Sequence, residues 1–136
     1  MTHHTTRHLF RGALLPVLAL LVALAACGGE RSVIPAGTAQ PDEFLFMRGT
    51  EALMAKKWLD ARQYFQQIVD NYPQSPRRPD AKLGLGDSYL GEDTAGSLVF
   101  AANEFMEFLQ FYPVHARADY AQYKLAMSHF AQMRAP

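Results

Sequence analysis

One 40-residue offset constrains this chain more than any other feature. Ala61, Phe65, Tyr72 and Pro73 recur as Ala101, Phe105, Tyr112 and Pro113, each 40 residues later. A second block, Ala81, Leu85, Gly86 and Ser88, recurs as Ala121, Leu125, Ala126 and Ser128 at the same offset. Fixed self-similarity of this length marks a stack of repeating supersecondary units, each burying its apolar face against the next. Within the first unit, Gly49, Ala61, Phe65 and Pro73 are separated by 12, 4 and 8 residues. These are the small, small, large and proline positions of a tetratricopeptide helix pair. Small residues let two antiparallel helices approach, the aromatic fills the space beside them, and proline stops the second helix.

The expected fold is therefore all-α, a right-handed α-solenoid of tetratricopeptide-like helix pairs with about five helices. The first pair spans about Asp42 to Ala55 and Trp58 to Asn71, with Asp42 as N-cap after Pro41. The second spans about Pro79 to Leu90 and Ala95 to Phe111, with Pro79 suited to a first turn. A fifth helix covers about Ala116 to Met133. Gly86 and Ala101 are 15 residues apart, against 12 for Gly49 and Ala61, and the extra three are expected to lengthen the turn around Gly91 to Thr94. The units run over about residues 42–75, 76–115 and, as a half unit, 116–136. The half unit leads to the expectation that these residues are the front part of a longer protein.

Ahead of the repeats, Arg7 and Arg11 precede an apolar run from Ala13 to Leu24, then Ala25-Ala26 and Cys27. This is the basic, apolar, small-residue order of a cleaved secretion signal covering residues 1–26. The run is too short for a comfortable membrane span. Leu24-Ala25-Ala26-Cys27 matches the bacterial lipobox, in which the cysteine sulfur receives a diacylglyceryl group. Cys27 is the single cysteine of the chain, so no internal disulfide can form and packing must hold the domain. Each buried CH₂ of an acyl chain contributes ~0.8 kcal/mol, so more than one chain anchors stably. Residues 27–41, rich in Gly, Ala, Ser, Thr and Pro, are expected to form a flexible tether, with ordered structure starting near Asp42.

Charge and motifs narrow the function. The chain has 13 basic and 13 acidic residues; loss of residues 1–26 removes Arg7 and Arg11 and no acid, leaving 11 against 13. No basic excess points to nucleic acid. Ser75, Ser88 and Ser128 lie in no nucleophile-elbow context. Glu104 and Glu107 sit one helical turn apart as on a solvated face, and His115 and His129 lack metal-ligand spacing. His3, His4 and His8 fall in the segment that is removed. No catalytic residue, metal site or cofactor is expected.

The lipobox together with Trp58-Leu59-Asp60-Ala61, Asp70-Asn71-Tyr72-Pro73-Gln74-Ser75-Pro76, Ala101-Ala102-Asn103-Glu104-Phe105 and Ala118-Asp119-Tyr120-Ala121-Gln122-Tyr123-Lys124-Leu125-Ala126 resembles the BamD (ComL) family, lipoproteins of the outer-membrane β-barrel assembly machinery. The resemblance implies a non-catalytic scaffold on the periplasmic face of the outer membrane, lipid-anchored through Cys27. Gly28, where an aspartate would signal inner-membrane retention, agrees. Implied partners are unfolded outer-membrane proteins, the barrel subunit BamA and other assembly lipoproteins. The family has about five units, its C-terminal ones docking BamA and its N-terminal ones implicated in substrate recognition. Tetratricopeptide geometry places candidate peptide-groove residues on the first helix of each unit: Phe46, Thr50 and Leu53; Leu83, Asp87 and Leu90; Tyr123 and Met127. The alternative is another periplasmic tetratricopeptide lipoprotein acting as an envelope or cell-division adaptor.

Overall fold

The computed structural model describes residues 34, 35 and 37–134. The secretion signal and Cys27 lie outside the described residues. Five helices follow one another: α1 (Pro41–Met54), α2 (Trp58–Asn71), α3 (Arg78–Glu92), α4 (Ala95–Phe111) and α5 (Ala118–Arg134). No strand occurs among the described residues. Each helix packs on its sequence neighbours, as in a tetratricopeptide-like repeat. The first helices also touch across units, α1 with α3 and α3 with α5, whereas α2 and α4 do not touch one another. The stack therefore closes on the side of the first helices and opens on the side of the second.

The repeated signature residues build the contacts between helices. The Phe65 ring is 1% exposed. A Cβ placed on Gly49 would lie 2.6 Å from one edge of that ring, and one on Gly84 2.5 Å from the other. Phe65 of α2 thus fills the space that two absent side chains leave on α1 and α3. One unit later, a Cβ on Gly86 would meet the Phe105 ring at 2.7 Å. Two buried clusters result. Leu45, Ala61, Phe65, Ile68, Ala81 and Leu85 form the first, and Leu83, Ala101, Phe105, Phe108 and Ala121 the second. At ~25 cal/mol per Å² of apolar surface buried, burying each phenylalanine side chain is worth about 1.5–3 kcal/mol.

The loops entering α3 and α5 repeat the same turn. Ser75 N–H donates to the Tyr72 carbonyl and Arg78 N–H to the Ser75 carbonyl; His115 and Ala118 N–H groups do the same to Tyr112 and His115. In one loop the Ser75 hydroxyl accepts from Arg77 N–H at 3.0 Å, and in the other His115 Nδ1 accepts from Arg117 N–H at 3.2 Å. The second bond holds residues 116 and 117 in the turn, so α5 starts at Ala118 and not at Ala116.

Three further expectations change. Asp42 is not an N-cap: α1 begins at Pro41 after Gln40, which makes no side-chain cap, and the Asp42 carboxylate instead accepts from the Ser75 hydroxyl at 2.6 Å. The three extra residues of the second unit do not lengthen a turn. They form the first helical turn of α4, Ala95 to Ser97, because Thr94 and Ser97 make a reciprocal capping box there. Asp93, in the left-handed region at φ 53°, closes α3 directly before it. Finally, order begins before Asp42, since Ile34 already packs against the first cluster.

Candidate functional site

The inner row of first helices carries a ladder of charge and aromatic rings. At its first rung, Arg77 pairs with Glu43 of α1 through Nε and Nη2, at 2.5 and 3.1 Å, and its guanidinium lies 5.1 Å from the centre of the Phe46 ring. At the second, Arg117 Nη1 donates to Asp80 of α3 at 3.0 Å and its guanidinium lies 4.6 Å over Tyr120. Arg77 and Arg117 are 40 residues apart, so the rung is part of the repeat. A third set joins α3 to α5. The Tyr120 hydroxyl faces both Asp87 oxygens, at 2.9 and 2.8 Å, and Lys124 Nζ lies 3.0 Å from Oδ1. Burial, then Asp87, push the Tyr120 hydroxyl above its ordinary pKa. Burial works against the charge of Lys124, but its hydrogen bond to Asp87, with the added attraction of Asp87 and Tyr120, outweighs it and raises the pKa. Asp42 is held below the ordinary carboxylate range, first by the Ser75 hydroxyl.

The sequence-derived candidates distribute unevenly around this ladder. Phe46 is half-buried, its ring 5.9 Å from that of Phe65. Thr50 is half-buried and donates to the Phe46 carbonyl at 2.9 Å. Leu53 and Leu90 are half-buried against the first and second clusters. Asp87 stands in the α3–α5 set. Leu83 is not a groove residue: it is 0% exposed, because α3 is a central helix and Leu83 points into the second cluster against Ala101 and Phe105. Tyr123 and Met127 are 61% and 38% exposed. They occupy the α5 register that on α3 holds Leu83 and Asp87. Glu43, Asp80, Arg77, Arg117 and Tyr120 did not emerge from the sequence. The 40-residue spacing of the two arginines was the available signal.

The inner row offers half-buried apolar side chains flanked by ion pairs, a surface for an extended chain rather than for a reacting group. Lys82, bound to Glu104 and Glu107 at 2.8 and 2.5 Å, ties α3 to α4. Burial opposes its charge, and the two carboxylates overcome that and raise its pKa. Among the described residues no cluster of His, Cys, Asp or Glu could hold a metal ion, and no helix is long and apolar enough to cross a membrane.

Residues 38–136, the whole helical stack, match the family described as outer membrane lipoprotein, YfiO. The chain belongs to that family. As a YfiO-family protein it is an envelope lipoprotein of the outer membrane, and its matched region is the solenoid itself. No curated protein and no solved structure matches the chain.

Proposed function

We propose that this YfiO-family lipoprotein is a BamD-like scaffold subunit of the outer-membrane β-barrel assembly machinery. Its non-catalytic task is to hold extended segments of unfolded barrel proteins near the membrane. The family match across the solenoid carries this reading. Phe46, Thr50 and Leu53 of α1, with Asp87 and Leu90 of α3, form the binding strip. Extended peptides alternate their side chains, and a strip of apolar positions between polar rungs suits them. Cys27 carries the lipid that holds the domain at the periplasmic face of the outer membrane. Tethering raises the local concentration of a weak binder at the place of assembly. BamA and other assembly lipoproteins are the proposed partner subunits.

Fluorescence anisotropy tests the reading. A labelled peptide from the C-terminal strand of an outer-membrane barrel protein is titrated with the lipidated chain in detergent. Saturable binding that Leu53→Asp and Leu90→Asp weaken supports it. Equal binding of a scrambled peptide removes it.

A further inference from the structure

The face of α5 turned away from the stack carries a stripe of exposed residues at helical spacing: Asp119, Tyr123, Ala126, Met127, Phe130 and Arg134. Its opposite face is the packed one, with Ala121 and Ser128 fully buried. Two observations give the open stripe meaning. The first is internal to the repeat. The α3 residues 40 positions earlier, Leu83 and Gly86, are buried under α4, with Gly86 against the Phe105 ring. The same register on α5 is uncovered among the described residues, with Tyr123 61% and Phe130 51% exposed. This fold therefore already uses that stripe to receive a helix.

The second observation concerns which helix. The stripe is self-complementary about the midpoint between Ala126 and Met127. Tyr123 lies as far before that midpoint as Phe130 lies after it, and Asp119 as far before as Arg134 after. Two copies of α5 laid antiparallel across a two-fold axis bring Tyr123 against the other copy's Phe130, twice. The same pairing sets each Asp119 opposite an Arg134, with small Ala126 beside the axis where the helices come closest. Isologous interfaces require such self-matching. The guanidinium of Arg134, 5.2 Å over its own Phe130 ring, lies at the edge of the stripe.

We infer that α5 is a homodimerisation surface, and that its occupant is the antiparallel α5 of a second copy of this chain. One pair of helix faces lies at the small end of specific interfaces, so the association is weak in solution. Confinement to a membrane strengthens it. The inference is independent of the peptide-binding reading, which rests on α1 and α3.

Charge exchange tests it on the full lipidated chain in detergent, by sedimentation equilibrium over a range of protein concentrations. The parent chain is expected to pass from monomer to dimer as concentration rises. Asp119→Arg or Arg134→Asp alone weakens the dimer by roughly tenfold or more, since each places like charges at both ends. The double exchange restores association to near the parent value. A second measurement uses oxidative crosslinking in membranes with the parent chain as background. Ala126→Cys, beside the axis, crosslinks to itself, whereas Asp119→Cys, far from its own copy, does not. A chain that stays monomeric throughout, a double exchange that fails to restore association, or equal crosslinking from Asp119→Cys and Ala126→Cys overturns the inference.

Discussion

Gly84→Ala is the sharpest test of how the repeats lock together. The new Cβ would lie 2.5 Å from Phe65 Cε2 and 2.7 Å from Cδ2 and Cζ. Ordinary contact begins near 3.4 Å, so the ring would have to retreat by nearly 1 Å. It cannot do so freely, because its opposite edge already occupies the space beside Gly49. Overpacking of this kind costs ~1–3 kcal/mol, and a doubly confined ring belongs in the upper part of that range. Replacing glycine by alanine inside a helix returns ~1 kcal/mol. The net expectation is a loss of about 1–2 kcal/mol, or about 5–15 °C in Tm for a domain of this size. Thermal unfolding followed by circular dichroism reads it. In a Phe65→Leu background the same substitution should be neutral or stabilising, a coupling of about 1–3 kcal/mol. Gly96→Ala, where a Cβ meets nothing within 4 Å, serves as the control and should cause no loss. A parent chain that Gly84→Ala stabilises would refute the packing argument.

Two other outcomes follow from the anchor and from the α3–α5 polar set. Cys27→Ala should leave the chain unlipidated and extractable from membranes by salt washing, and fractionation with immunoblotting checks this; tight retention of the variant contradicts the lipobox assignment. Tyr120 and Lys124 both have pKa values raised in the folded state, so their contribution is full below their unfolded values, about 10, and is lost as pH rises through the folded ones. Asp87→Asn should therefore lower Tm at neutral pH and flatten its decline on the alkaline side; an unchanged alkaline slope would show that Asp87 does not set those values.

Much of the architecture was legible because the residues that make it are few and local. Trp58–Asn71 and Ala95–Phe111 match their expected spans, each ending just before a Tyr-Pro pair that stops the helix. The extra turn of α4 was not legible as helix, because Gly91 to Thr94 has turn-like composition. The deciding bonds are side-chain bonds between Thr94 and Ser97, not a periodic signal. Leu83 shows the limit of transferring positions from one unit to the next. Phe46 on α1 has no preceding unit and stays half-buried, whereas α3 has helices on both sides and Leu83 is enclosed. The ladder of Glu43 with Arg77 and Asp80 with Arg117 joins residues 34 and 37 apart. Such pairs depend on the path of the chain between units, which the single 40-residue period does not specify.

Site-specific photo-crosslinking tests the central claim most directly, that the inner row of first helices holds unfolded barrel segments. A photoreactive amino acid is placed at Leu53 or Leu90 on the inner row, and at Leu59 or Gln66 on the exposed side of α2, in the full lipidated chain. Each variant is illuminated with a peptide from a barrel C-terminal strand or with its scrambled counterpart. The account predicts adducts from Leu53 and Leu90 with the native peptide alone. Adducts of equal yield from Leu59 and Gln66, or from the scrambled peptide, would contradict it.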